Sequence, residues 1–249
     1  TTAAGRLRLG GGVGSLNIGA STATAVTTAL GSAATAVATS SSNVKVQFDQ
    51  WSWWTNGNGN SAGTAFDFYN SGTLSILPVS AASAQSVSTS WWNLASGNNL
   101  TGLTIGAASV GGVTMPSATK ITVNSPISIN GPVVLTNGSI DLTSTVSTPG
   151  AITLNAVNGD VNFSNGITIT GASNGLMVKA TGNILTATGL TFQTNKGPIT
   201  FWANSANGTA GNIEINTNNT FNTAGSGSTA NNLSGGGAIT LAGGTDDGS

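Results

Sequence analysis

The chain has 249 residues, of which only 5% are charged, and it contains neither cysteine nor histidine at a formal net charge of -1. Nucleic-acid binding requires lysine and arginine to neutralise phosphates, and six scattered basic residues exclude a surface of that kind. Without cysteine or histidine, the chain has no disulfide bond, no thiol chemistry and no imidazole base for a serine nucleophile. No apolar run approaches the roughly 20 residues that a membrane-spanning helix requires, so we expect no membrane insertion.

Residues 1–99 are the less regular part of the sequence, and we interpret them as an irregular β region with a Trp-rich insertion. Five of the six tryptophans fall within residues 51–92. Residues 56–60 read Asn-Gly-Asn-Gly-Asn, which predicts a turn because Asn and Gly tolerate positive φ. Short apolar-x-apolar phrases flank this insertion, at Leu7-Arg-Leu9, Leu16-Asn-Ile18, Val44-Lys-Val46, Phe66-Asp-Phe68 and Leu74-Ser-Ile76.

Residues 100–249 repeat the same phrase regularly, with Gly, Asn, Ser, Thr and Pro between its copies. Two apolar residues two positions apart point to the same side of a strand. Such strands are too short to bury anything alone, but many of them stacked build a continuous core. The phrases include Ile121-Thr-Val123, Ile127-Ser-Ile129, Ile140-Asp-Leu142, Ile152-Thr-Leu154, Val161-Asn-Phe163, Ile167-Thr-Ile169, Leu190-Thr-Phe192, Ile199-Thr-Phe201, Ile213-Glu-Ile215 and Ile239-Thr-Leu241.

The spacing of these phrases predicts an all-β fold of the parallel β-helix type. Ile121, Ile140, Val161 and Ile184 follow one another at intervals of 19, 21 and 23 residues, with other phrases between them. That spacing gives three short strands per coil of about twenty residues, as in a solenoid. A β-sandwich is the alternative, and it would show longer strands and clearer hairpin spacing.

The succession of phrases after residue 100 resembles the repeats of filamentous-haemagglutinin-like exoproteins, which are large secreted adhesins of Gram-negative bacteria. The resemblance implies a right-handed parallel β-helix, secretion across the outer membrane and exposure at the cell surface for adhesion or aggregation. The N-terminal secretion domain of that family is not recognisable, and residues 1–99 match less well. The segments that carry the resemblance are GLTIGAAS (102–109), ITVNSPISINGPVVLTNGSIDLTS (121–144), GAITLNAVNGDVNFSNGITITG (150–171), GNILTATG (182–189), GPITFWANSANGTAGNIEI (197–215) and LSGGGAITLAGGTDDGS (233–249).

Aromatic residues of the N-terminal region are the candidate ligand or interface residues. Exposed Trp and Tyr can stack on sugar rings, whereas buried ones pack in a core, and we keep core packing, a protein interface and glycan binding as alternatives. The candidates are Trp51, Trp53, Trp54, Tyr69, Trp91 and Trp92.

Acidic residues are too few to predict a catalytic or metal site. Asp246 and Asp247 follow two glycines and could form either a calcium turn or a solvated turn, but calcium requires six to eight oxygen ligands. Asp49 and Asp67 flank the tryptophans and could form a glycosidase pair, although polysaccharide-cleaving sites usually gather more acids and bases. We therefore predict no enzyme activity, no cofactor and no metal.

The sequence thus predicts a structural and adhesive segment of a secreted β-helical fibre at the bacterial cell surface. The chain begins with Thr1 and ends at Ser249 without a capping element, so we expect it to be part of a longer chain. The expected partners are flanking segments of that chain or other copies, with surface glycans as a second class. The alternative functions are a glycan-binding module built on the tryptophans and a polysaccharide-active enzyme.

Overall fold

A computed structural model describes residues 72–78, 80–81, 86–92, 94, 100–205, 211–224 and 235–244. Towards the N-terminus it describes the backbone of six short strands. These are Arg8–Gly10, Ser15–Leu16, Ala29–Leu30, Val44–Gln47, Gln50–Trp51 and Asp67–Phe68.

Most of the described strands form three parallel sheets around one apolar core. Sheet 1 consists, in spatial order, of Arg8–Gly10, Val44–Gln47, Thr73–Leu77, Gly102–Gly106, Val133–Asn137, Ile152–Ala156, Leu176–Ala180, Ile199–Ala203 and Ile239–Gly243. Sheet 2 consists of Val87–Ser88, Lys120–Val123, Ser139–Leu142, Val161–Phe163, Ile184–Thr186 and Ile213–Ile215. Sheet 3 consists of Ile127–Ser128, Val146–Thr148, Ile167–Ala172, Thr191–Asn195 and Thr220–Asn222. From Lys120 on, the chain visits sheets 2, 3 and 1 in that order in every coil, which confirms the predicted parallel β-helix.

The register of sheet 2 is the one that the spacing predicts. Ile121 pairs with Ile140, Ile140 with Val161, and Val161 with Ile184. The predicted inward residues of the central coils are all buried, with at most 2% of any side chain exposed, namely Ile140, Leu142, Ile152, Leu154, Val161, Phe163, Ile199 and Phe201. Parallel pairing in all three sheets leaves the β-sandwich alternative without support.

Sheet 1 runs through both regions that the sequence separates at residue 99. The phrases around Leu9, Val46 and Ile76 pair with one another in parallel, and Ile76 pairs with Ile105 in the regular region. Two smaller parallel sheets join Ser15–Leu16 to Gln50–Trp51 and Ala29–Leu30 to Asp67–Phe68. The stacking pattern therefore begins well before residue 100.

Two short elements depart from parallel strands. Ser109–Val110 and Val113–Thr114 form an antiparallel hairpin, with Gly111 and Gly112 at positive φ in its turn. Thr89–Trp91 form one turn of 3-10 helix, and the described residues contain no α-helix. The hairpin lies between Gly102–Gly106 of sheet 1 and Lys120–Val123 of sheet 2. The 3-10 turn directly follows Val87–Ser88 of sheet 2.

Glycine recurs at the corner that leads into sheet 1. Four coils carry glycine two residues before the sheet 1 strand, where the backbones of successive coils touch. A Cβ on Gly150 would lie 2.2 Å from the backbone nitrogen of Pro132, and one on Gly197 would lie 1.8 Å from the carbonyl oxygen of Asn174. The four glycines are Gly131, Gly150, Gly197 and Gly237.

Asparagine and aspartate link successive coils at the corner that leads into sheet 2. The backbone N–H of Asn183 donates to Oδ1 of Asp160 at 2.6 Å, and the N–H of Asn212 donates to Oδ1 of Asn183 at 2.9 Å. Each side chain accepts from the backbone one coil further along the chain. The polar residues between the phrases therefore hold the stack together as well as turning the chain.

Candidate functional site

The candidate functional site is the open end of the stack, formed by the last strand of each sheet. These strands are Ile213–Ile215, Thr220–Asn222 and Ile239–Gly243, and we call them the terminal coil. They pair in register with the preceding coil, so their apolar residues occupy inward rows. All three are edge strands at the same end of the described stack.

Three inward residues of the terminal coil are exposed, unlike their partners in the preceding coil. The exposed fractions are 37% for Ile215, 47% for Ile239 and 49% for Leu241. Their partners on the preceding coil, Ile199 and Phe201 among them, are fully buried. An inward side chain is buried only when a coil lies on each side of it, and these residues have a described coil on one side only.

Phe221 ends an aromatic stack that runs through the core of the last coils. Its ring lies 5.1 Å from that of Phe192 and 5.4 Å from that of Phe201, measured between centroids. Phe192 in turn contacts Phe163 edge to face at 5.0 Å. Phe221 is only partly buried, so one side of this stack reaches the open end.

The terminal coil also directs backbone hydrogen-bonding groups away from the preceding coil, towards the side on which its apolar residues are exposed. The carbonyl oxygen of Ala238 accepts from the N–H of Ile199 at 2.9 Å. Backbone groups of successive strand residues alternate in direction, so the N–H groups of Ile239 and Leu241 point away from the preceding coil. An edge strand of this kind can hydrogen-bond a further parallel strand while its apolar rows are covered. Such an edge has the chemistry of a protein interface.

Trp202 is a partly exposed aromatic residue near this end, and it was not among the candidates predicted from the sequence. It follows Phe201 on the outward side of sheet 1, with the Lys179 Nζ atom 4.5 Å from its ring centroid. Its indole N–H donates to the carbonyl oxygen of Gly244 at 2.7 Å, which ties the end of the last sheet 1 strand to the preceding coil. The alternation of the phrase, continued by one residue, would have placed Trp202 outward.

Charged groups on the described surface are few, and Lys120 forms an ion pair with Asp141. Nζ of Lys120 lies 2.6 Å from Oδ2 of Asp141, whose Oδ1 accepts from the side chain of Asn162 at 2.7 Å. The described residues hold no group of three or more histidine, cysteine, aspartate or glutamate side chains that could bind a metal. Asp246 and Asp247, the predicted alternatives for a calcium turn, lie outside the described residues.

The predicted aromatic candidates are only partly placed. Trp92 is 1% exposed, so its ring is a core side chain and not a surface platform. Trp51 lies in a strand whose backbone pairs with that of Leu16, and Trp91 ends the 3-10 turn. Their side chains lie outside the part of the chain that the structure describes, as do the whole residues Trp53, Trp54 and Tyr69.

Within the described residues, no helix is long and apolar enough to cross a membrane. Comparison of the chain with protein-family models, with curated proteins and with solved structures found no match.

Proposed function

We propose that the chain is a structural and adhesive segment of a secreted β-helical fibre at the bacterial cell surface. The observation that carries the proposal is the parallel stack itself, which ends in an exposed edge with uncovered apolar rows. A stack of this kind is extended by adding coils at its end, because each coil contacts only its neighbours. A modular rod suits a protein that must project binding surfaces away from a cell.

The outward faces support an adhesive role through many weak contacts. The outward row of sheet 3 is uncharged and partly exposed along its whole length. Its members are Ser128, Ser147, Thr168, Gln193 and Asn222. Rows of hydroxyl and amide groups can hydrogen-bond another surface without the long-range repulsion that like charges would cause. Repeated along a fibre, such contacts add through multivalency.

Extracellular location and adhesion also fit the resemblance of residues 100–249 to secreted haemagglutinin-like repeats. The proposal requires neither a cofactor nor a metal, because the activity is mechanical. Its partners are flanking segments of a longer chain, other copies and the surfaces to which the fibre attaches.

Attachment of protein-coated beads to cells tests the adhesive role. Beads carrying the chain should attach to epithelial cells and to one another more often than beads carrying a charge-poor globular protein. A variant with Ser147→Glu, Thr168→Glu and Gln193→Glu should attach less, while the matched variant with asparagine at the same three positions should attach normally. Attachment of wild type at the level of the globular protein would overturn the proposal, and inhibition by free sugars would assign adhesion to a glycan-binding module instead.

Antibody labelling of the source cells tests the location. Intact cells should be labelled as strongly as permeabilised ones. Labelling that appears only after permeabilisation would contradict exposure at the cell surface.

A further inference from the structure

We propose that copies of this chain stack head to tail, with Ile239–Gly243 of one copy pairing in parallel with Arg8–Gly10 of the next. The inference rests on the proposed function, because it names the partner of the open end. It commits to a second copy as the occupant of that end.

The two edges of sheet 1 are complementary by topology. Arg8–Gly10 is the first strand of the sheet and Ile239–Gly243 is the last, and every pair between them is parallel. In a parallel sheet each strand presents one edge to its predecessor and the opposite edge to its successor. The last strand of one copy and the first strand of the next can therefore pair as any two internal strands do.

The register of sheet 1 continues across that junction with the same residue type. Leu9 and Leu241 stand at the two ends of a single row of Cα partners in which every member is apolar. The row is Leu9, Val46, Ile76, Ile105, Leu135, Leu154, Val178, Phe201 and Leu241. Head-to-tail pairing places Leu9 of one copy beside Leu241 of the other and continues the row. In the neighbouring row of Cα partners, Arg8 of one copy would stand beside Thr240 of the other.

Burial of the exposed apolar residues of the terminal coil would drive the association of two copies. Ile239 and Leu241 are about half exposed in the single chain, at 47% and 49%, and a following coil would bury both. Burial of apolar surface favours association in proportion to the area removed from water. The two contacting edges are the first and last strands of the same sheet, at opposite ends of its stack, so repetition of the contact extends the stack into a filament.

Directed crosslinking tests the head-to-tail geometry. The chain has no cysteine, so Leu9→Cys and Leu241→Cys each introduce a single thiol. When the two variants are mixed with a short bismaleimide, the crosslinked product should join one copy of each. Products that join two Leu9→Cys chains or two Leu241→Cys chains as often as mixed ones would overturn the proposal.

Sedimentation velocity tests the contribution of the terminal coil. Wild type should form longer species as its concentration rises, and Leu241→Asp should weaken this association at least about tenfold because its charge would be buried at the junction. The control Thr240→Asp, on the outward side, should associate as wild type does. Circular dichroism should show both variants folded, since both positions are exposed in the single chain.

Failure of this inference is distinguishable from failure of the proposed function. A wild-type chain that stays monomeric at its highest soluble concentration would overturn head-to-tail stacking. Coated beads that nevertheless attach to cells would leave the adhesive role in place. Association that Thr240→Asp and Leu241→Asp weaken equally would likewise count against the named junction.

Discussion

The coil before the end of the stack and the terminal coil carry nearly the same phrase in opposite surroundings. Ile199-Thr200-Phe201 pairs residue by residue with Ile239-Thr240-Leu241. Ile199 and Phe201 are 0% exposed, whereas Ile239 and Leu241 are 47% and 49% exposed. A phrase of this type therefore determines which side of a strand faces inward, and the next coil determines whether that side is buried.

The same comparison indicates how stability is distributed along the chain. An inner coil has an interface on both sides, and the terminal coil has one described interface, so substitutions at equivalent positions should have unequal effects. Four pairs of substitutions follow in order of decreasing expected effect, and the second pair compares equivalent positions of the two coils directly.

An aspartate inside a central coil should have the largest effect. Ile152→Asp places a charge where no described group can pair with it, at a cost of several kcal/mol, and should unfold the stack or open it locally. Thr153→Asp, on the opposite side of the same strand, should be mild. Thermal unfolding followed by circular dichroism measures both, and equal melting temperatures would contradict the inward assignment of Ile152.

Truncation of the inward row should distinguish the two coils directly. Phe201→Ala removes a ring that is fully buried among Phe163, Phe192 and Phe221, and should lower the free energy of unfolding by about 3–5 kcal/mol. Leu241→Ala should lower it by less than about 1 kcal/mol, because half of that side chain is already in water. Urea titration at a concentration where the protein is monomeric gives both values. Similar losses for the two variants would show that the terminal coil is covered.

Glycine substitution tests the contact between backbones at the corner. Gly150→Ala would bring a Cβ within 2.2 Å of the Pro132 nitrogen and should cost about 1–3 kcal/mol as the coils move apart. Gly243→Ala in the terminal coil has no atom within 4 Å of its new Cβ and should be neutral. Urea titration of the two variants provides the comparison, and a neutral Gly150→Ala would refute the close approach.

The outer surface should contribute least. Lys120 and Asp141 form an ion pair between neighbouring coils of sheet 2, with 39% and 22% of their side chains exposed. Lys120→Ala should change the free energy of unfolding by at most about 1 kcal/mol, and the effect should shrink in high salt. Asp141→Ala should cost more, since it also removes the acceptor for Asn162. A larger loss for Lys120→Ala than for Asp141→Ala would contradict this order.

The central coils were predictable because the number of residues per coil is nearly constant and each phrase alternates strictly between apolar and polar residues. The markers Ile121, Ile140, Val161 and Ile184 are register partners because few residues separate the strands at each corner. Sheet 1 before residue 100 escaped prediction because longer connections separate its phrases, as between Val46 and Ile76. Sequence spacing does not reveal pairing when corners vary in length.

The open end could not be predicted from the phrase itself. Ile239-Thr240-Leu241 reads like any inner strand, and exposure of its inward side depends on whether another coil covers it. The aromatic candidates illustrate a related limit. Trp92 is a core side chain, yet a tryptophan beside serine and asparagine reads equally well as a surface residue. Composition near a residue does not specify the side of the coil on which it lies.

The corners between sheets 1 and 2 differ greatly in length without disturbing the register. After Asn137 a single residue, Gly138, leads to the next strand, whereas residues 107–119 with their hairpin occupy the same corner one coil earlier. Closing a flexible loop twice as long costs only about 0.6 kcal/mol more. An insertion that doubles the length of a corner therefore costs little in folding free energy. The corner segments of such a stack can therefore change in sequence and length during evolution while the core residues stay unchanged.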